Sequence, residues 1–263
     1  MKTKAQLTAF FIFIIVILLI SFLVSFISKK PLVEQTIETN QIDPVQSYVE
    51  SCLKQTAIEG VYLVSLQGGY NDLSEVQSIP YFLVEIPLFW NIDKNWMTNP
   101  EVFEEELSYY IAENIGTCFN EFETLKTQGY TIEPIWEEYS EATWPIASIT
   151  EDRIRLQFDF PFRITNEGSQ IHVIESFSSS IPFDMGKIYG YVDGIIEEQQ
   201  NDPNSLPIGY LSSLAFRNGF RYETIEYDPD TTIISLIFDQ PQGDDLIFSF
   251  AHRYDWKSGG DSS

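Results

Sequence analysis

The longest uncharged stretch of the chain covers residues 5–28, between Lys4 and Lys29, and consists mainly of Phe, Ile, Leu and Val. A helix of about 20 apolar residues is long enough to cross a hydrocarbon layer about 30 Å thick. A cleaved secretory signal has a shorter apolar core, of about 7–15 residues, and a small-residue cleavage site. Because "SKKP" follows the stretch instead, the sequence predicts a transmembrane anchor at residues 1–30, in contact with the lipid bilayer through residues 5–28.

The orientation of this anchor follows from the residues after it, because two lysines flank the apolar stretch on each side. Four of the 15 Lys and Arg precede residue 31, which leaves 11 against all 39 acidic residues and a net charge of −28. The two cysteines, Cys52 and Cys118, form an even set, as is typical of an exported domain with one disulfide. We therefore expect a single-pass cell-membrane protein with an extracytoplasmic C-terminal domain. Two unpaired thiols in a cytosolic domain are the alternative.

The segment Lys4-Ala5-Gln6-Leu7-Thr8 resembles the class III signal of archaeal type IV pilin-like proteins. The resemblance implies processing between Ala5 and Gln6 and an apolar helix that packs inside a filament. Pilins usually carry a glutamate at the fifth position after cleavage, where this chain has Phe10. The whole chain is also similar to uncharacterised, N-terminally membrane-anchored proteins of small-genome archaea, a similarity that implies no activity.

After the anchor we expect a linker at 31–43, one α+β domain at 44–256 and a disordered, polar tail at 257–263. Asp43-Pro44 predicts the start of a first helix, which Gly68-Gly69 ends. Asn99-Pro100 predicts the start of a second helix, with an apolar face that continues to Phe122. Since Cys52 and Cys118 lie on the apolar faces of these helices, a bridge would join the pair.

The remaining patterns predict strands and two further helices. "IPYFLVEIPLFWNID" indicates a strand or strand pair under the helical pair, and residues 153–162 alternate with the period of a strand. "NEG" at 166–168 predicts a hairpin turn toward a partner strand, and the region after residue 220 predicts three strands. Helices are expected at 184–201 and 207–217. The fold class is therefore α+β: a transmembrane helix, then a helical pair packed with an antiparallel sheet.

The sequence offers few residues for catalysis. It contains no nucleophile elbow, zinc-protease helix, phosphate loop or EF-hand loop, and its two histidines, His172 and His252, carry no motif. Trp136-Glu137-Glu138 with Trp144 would suit a carbohydrate cleft, but in a chain with 39 acids a solvated surface explains these residues as well. We expect no catalytic residue and no cofactor, except for Ca²⁺ as a candidate.

The turn "DPDTT" makes Asp228 and Asp230 the candidate Ca²⁺ ligands, although Asp-Pro steps also form turns without metal. A net charge of −28 disfavours nucleic acid as a partner. The sequence therefore predicts an anchored extracytoplasmic protein with a binding or structural role at the cell surface, which includes a pilin-like subunit. A hydrolase that uses carboxylates, or an accessory subunit whose anchor packs against another membrane protein, are the alternatives.

Overall fold

The computed structural model describes residues 44–119, 122–135, 144–166, 171–240 and 243–255. All of them belong to one compact unit, Asp43–Ser263. The predicted anchor, processing site (Ala5 and Gln6) and linker lie outside the described residues. So do the predicted tail and the Trp136-Glu137-Glu138 segment. Within the described residues, no helix is both long enough and apolar enough to cross a membrane.

Six helices are present in the described parts of the chain. They are α1 (Pro44–Leu66), α2 (Pro100–Asn114), α3 (Gly116–Phe119), α4 (Glu123–Thr127), α5 (Met185–Asn201) and α6 (Ile208–Asn218). The helix starts and ends follow the local signals: the Asn99 side chain accepts from Val102 N, and Gly219 ends α6 with a left-handed φ of 71°. The predicted continuation of the second helix to Phe122 is wrong, because the helix breaks after Asn114. Gly116, a poor residue for a helix interior, opens a separate short helix there.

Twelve strands form three sheets among the described residues. The strands are β1 (Ser78–Tyr81), β2 (Val84–Asn91), β3 (Lys94–Asn95), β4 (Tyr130–Pro134), β5 (Ile146–Ile149), β6 (Ile154–Phe158), β7 (Phe162–Asn166), β8 (His172–Ile174), β9 (Phe177–Ile181), β10 (Arg221–Asp228), β11 (Thr231–Phe238) and β12 (Leu246–Arg253). The largest sheet has the order β1-β2-β12-β11-β10, with β3 paired to β2. The small sheets have the orders β4-β7-β8 and β5-β6-β9.

The expected antiparallel sheet is in fact mixed. The β1–β2 hairpin and the β10–β11–β12 meander are antiparallel as predicted, but β2 and β12 pair in parallel, with Ala251 opposite Leu88. Parallel neighbours need a long connection, and most of the domain lies between these two strands. The α+β class is confirmed, and the purely antiparallel sheet is wrong.

The predicted long hairpin after residue 153 divides between the two small sheets. β6 pairs with β9 from Ile154 opposite Ile181, whereas β7 pairs with β8 from Phe162 opposite Ile174. Pro161 lies at the division and has no N–H to donate to a ladder. The division leaves β6 between β5 and β9, and these three strands form a separate small sheet.

The predicted helical pair is formed by α1 and α2. Gly60 of α1 faces Leu107 and Tyr110 of α2, and an added Cβ would lie 2.8 Å and 2.5 Å from their side chains. The two helices therefore approach closely at this point. The larger apolar cluster of the described residues joins the helices to all three sheets, and a group of phenylalanines in ring contact belongs to it or packs against it. The members of this group are Phe119, Phe122, Phe158, Phe160, Phe162 and Phe177.

Candidate functional site

The predicted disulfide is present. Cys52 of α1 and Cys118 of α3 are joined with their Cα atoms 6.1 Å apart, and the described residues include no free cysteine. The Tyr48 hydroxyl donates to the Cys118 carbonyl at 3.2 Å, one helical turn before the bridge. The bridge is thus part of the core and holds α1 to the segment that follows α2.

The proposed Ca²⁺ ligands serve a turn. The Asp228 carboxylate accepts from Asp230 N at 2.9 Å, and the Asp230 carbonyl accepts from Tyr254 N at 2.8 Å. Within the described ranges, no group of three or more His, Cys, Asp or Glu side chains is placed to hold a metal ion. Calcium binding by these two aspartates therefore stays a prediction. Among the described residues, no third acidic side chain is placed to join them.

The two histidines lie in different sheets, His172 in β8 and His252 in β12. His252 is fully buried: its Nδ1 lies 3.1 Å from Gln199 Oε1, and its Nε2 has no hydrogen-bond partner among the described residues. Burial lowers the pKa of His252 to about 3. The ring is therefore neutral in the folded protein at ordinary pH and belongs to the core.

In contrast to the buried His252, several polar side chains are exposed on the outer face of the β5-β6-β9 sheet. Its core side carries residues such as Leu156 and Phe158, and its outer side carries two cross-strand rows. Paired residues of neighbouring strands lie side by side on one face. The rows are Ser148–Arg155–Ser180 and Ile146–Gln157–Ser178. Together with Thr150 and Arg153 they line an open cavity of about 720 Å³.

Carboxylates from both long N-terminal helices cover the edges of this sheet. Ile149 N of β5 donates to Glu104 Oε1 at 2.6 Å, and Ala147 N donates to the Ser108 hydroxyl at 2.9 Å. At the other edge, Ser178 N of β9 donates to Glu50 Oε1 at 3.3 Å. Unpaired edge groups are thereby satisfied, so the accessible surface is the outer face and not the strand edges.

An aromatic pair forms one end of this face. The rings of Tyr109 and Trp144 meet edge to face, with centroids 5.3 Å apart. Tyr109 is 52% exposed and Ile146 is 53% exposed. With Glu105 these residues border a second cavity of about 360 Å³, which shares Ile146 and Ser148 with the larger one. We call the joined cavities the β5 groove; it offers aromatic surface at one end and hydroxyl groups and arginine at the other.

The charge of the β5 groove differs from that of the chain as a whole. Arg153 makes two hydrogen bonds to Asp152, at 2.9 Å and 2.8 Å, which lower the pKa of that carboxyl. Arg155, in the centre of the face, makes no ion pair with any described residue. Arg155 also lowers the pKa of the Asp152 carboxyl through its charge, and the described residues that line the β5 groove include two arginines and two glutamates, Glu104 and Glu105.

The sequence interpretation missed this groove. The prediction of one strand at 153–162 with one partner leaves no third strand and no separate outer face. The signals for this face are the alternation that exposes Arg155 and Gln157 and the run of three serines at 178–180. The sequence associates Trp144 with acidic residues of its own segment, whereas the structure places it beside Tyr109 of α2.

Comparison of the chain with protein-family models, with curated proteins and with solved structures finds no match. The fold and the groove define an α+β domain that carries a disulfide-joined helical segment and an open, hydroxyl-rich sheet face. Its function is inferred below from that geometry.

Proposed function

We propose that this protein is a membrane-anchored, extracytoplasmic binding protein whose β5 groove binds an acidic polysaccharide. The observation that carries the proposal is the outer face itself, with Arg155 at its centre, hydroxyl side chains around it and two aromatic rings at one end. The anchor and the side of the membrane are inferred from the apolar stretch, the acidic composition and the disulfide.

Each part of the groove suits a different part of such a ligand. A guanidinium group makes charge-assisted, two-pronged hydrogen bonds to a carboxylate. Serine and threonine hydroxyls both donate and accept, as sugar hydroxyls require. The exposed Tyr109 ring and the partly buried Trp144 ring offer apolar area with a polar rim, on which a sugar ring can pack. An open groove also admits a polymer that extends beyond the site at both ends.

Binding is better supported than carboxylate-based hydrolysis. Glu104 at the β5 edge and Glu50 at the β9 edge already accept backbone hydrogen bonds, from Ile149 N at 2.6 Å and from Ser178 N at 3.3 Å. A glycoside hydrolase needs two carboxyl groups on opposite sides of the bond to be broken. Glu104 and Glu105 are neighbours on one helix at the same end of the groove. The filament-subunit and accessory-subunit hypotheses rest on residues 1–30 and stay hypotheses.

Replacing Arg155 by glutamine should weaken binding of polygalacturonate, a linear uronic-acid polymer, by about tenfold or more, because a hydrogen bond to a charged group contributes about 1.5–3 kcal/mol. The measurement is isothermal titration calorimetry on the full chain in mild detergent at low salt. The matched control is Arg217→Gln, since Arg217 is exposed on α6 and bonds only its own helix among the described residues.

Tyr109→Ala tests the aromatic end of the groove and should also lower the affinity, while neutral dextran tests the need for charge. Equal affinities of wild type, Arg155→Gln and Arg217→Gln for polygalacturonate would contradict the proposal. So would binding that depends only on salt and not on Arg155.

A further inference from the structure

The tip of the β1–β2 hairpin exposes two large apolar side chains. Phe82 is 88% exposed and Leu83 is 100% exposed, and they form the whole loop, because Tyr81 pairs with Val84. The Tyr81 ring lies just behind the tip, with its centroid 4.7 Å from that of Phe82. No charged residue occurs between Ser78 and Val84. Because both side chains stay in solvent, they add no buried apolar area to the folded domain, and their presence needs another reason.

The backbone of the tip is also unfavourable for the residue it carries. Phe82 has a φ of 53°, a conformation that glycine, asparagine and aspartate adopt readily and bulky side chains rarely adopt. Two-residue hairpin loops normally place glycine, asparagine or aspartate at such positions. Strained backbone of this kind persists at sites of function. The loop therefore keeps a phenylalanine where glycine would fold better.

The geometry points to a lipid surface as the partner: we propose that the Phe82–Leu83 tip inserts into the apolar layer of a zwitterionic bilayer. The tip is convex and presents side chains in place of a groove, which suits a deformable apolar medium. Transfer of each side chain into hydrocarbon favours insertion by roughly tenfold or more. Tyr81 would lie at the interfacial level, where tyrosine is enriched.

Charge near the tip selects the kind of lipid. Two carboxylates lie close to the tip: Glu85, which accepts from the Ser78 hydroxyl, and Glu226, which borders the small cavity behind Phe82. Two negative charges close to the headgroups repel anionic lipids. We therefore expect insertion into phosphatidylcholine and weaker insertion as anionic lipid is added.

The direction of the hairpin agrees with this partner. α1 advances along β12, since Tyr62 bonds the Asp244 carbonyl before that strand and Gly68 lies against Ser249 within it. β2 runs parallel to β12, so the tip that precedes β2 points toward the side from which α1 enters the domain. The segment that the sequence predicts to be the membrane anchor precedes α1 in the chain, so the lipid proposal assigns the bilayer to this side of the domain.

The test uses the full chain in phosphatidylcholine vesicles, with Leu83→Cys labelled by an environment-sensitive fluorophore. Because both native cysteines are in the disulfide, the new thiol is the one available for labelling in the described domain. The matched control is Phe216→Cys, at an apolar residue of α6 that is 90% exposed. Nitroxide lipids should quench the label at position 83 severalfold more than the label at 216, and its emission should shift to shorter wavelength.

A second variant separates insertion from folding. Phe82→Gly, combined with the label at 83, should reduce the quenching severalfold, while the urea midpoint of unfolding stays equal or rises because the strained turn is relieved. Equal quenching at 83 and 216 would overturn the proposal. Quenching between labels on different copies, in the absence of lipid quenching, would overturn it in favour of a second copy as the partner.

Discussion

Replacing both Cys52 and Cys118 by alanine should lower the free energy of unfolding by about 4 kcal/mol. The bridge closes a loop of 66 residues, and opening it restores conformational freedom to the unfolded chain. Single domains are stable by about 5–15 kcal/mol, so the change removes a large fraction of the total. Urea unfolding of the full chain in detergent, followed by tryptophan fluorescence, measures it.

Reducing the disulfide of the wild-type protein distinguishes the effect of the cross-link from the effect of the sulfur atoms on packing. Wild type in dithiothreitol should unfold near the midpoint of the double variant, because both then lack the cross-link. The single variant Cys52→Ala should match them, since it leaves one thiol and no bridge. If the oxidised protein and the double variant differ by less than about 1 kcal/mol, the bridge contributes little and the chain-entropy argument fails here. Free thiols in protein from native membranes would contradict an extracytoplasmic domain.

The helix starts of this fold and the end of α6 were predictable because their signals are local. Asn99 before Pro100, Asp184 before α5 and Gly219 after α6 each act on backbone groups within a few residues. The β1–β2 pair and the final meander were predictable for the same reason, whereas the end of α2 at Asn114 and the division of the long hairpin after residue 153 were not. The pairing of the cysteines also followed, because the sequence contains only two.

The parallel pairing of β2 with β12 had no such signal, since Leu88 and Ala251 are brought together by everything between them. The β5 groove was missed for a related reason. A pattern with a period of two identifies the buried face of β6, but it does not say which strands lie on either side. The β5 groove forms only because Ser148 of β5 and Ser180 of β9 lie on either side of Arg155. Alternation therefore predicted the half-buried strand β6, and tertiary pairing determined which exposed residues of other strands lie beside it.

Acid should destabilise the protein through His252, by about 3 kcal/mol between pH 7 and pH 4. The pKa of this ring is about 3 in the folded protein, because burial disfavours its charged form, and near 6.5 in the unfolded chain. Between these two values the unfolded state binds the proton and the folded state does not. The contribution is therefore fully present above pH 6.5 and is lost as the pH falls toward 3.

The surroundings of the His252 ring explain why the folded protein disfavours its protonated form. Nδ1 lies 3.1 Å from Gln199 Oε1, an acceptor that fits a neutral ring with its hydrogen on Nδ1. A second proton would have to sit on Nε2, which is buried and has no partner among the described residues. The Tyr254 hydroxyl also lies 3.3 Å from Gln199 Oε1 and is itself buried, so burial raises the pKa of Tyr254 as well. Among the described residues, the hydrogen-bond neighbours of the ring are the uncharged side chains of Gln199 and Tyr254, so burial lowers its pKa.

His252→Asn should therefore flatten the pH dependence, although it costs stability at pH 7 through lost packing. The difference in unfolding free energy between wild type and His252→Asn should shrink as the pH falls from 7 to 4, because only the wild type is penalised by acid. His172→Gln, at an exposed position of β8, is the second variant, so that each histidine is replaced in turn. Parallel stability curves for wild type and His252→Asn would show that the buried ring is not the acid-sensitive group. Carboxylates titrate alike in all three proteins and cancel from the comparison.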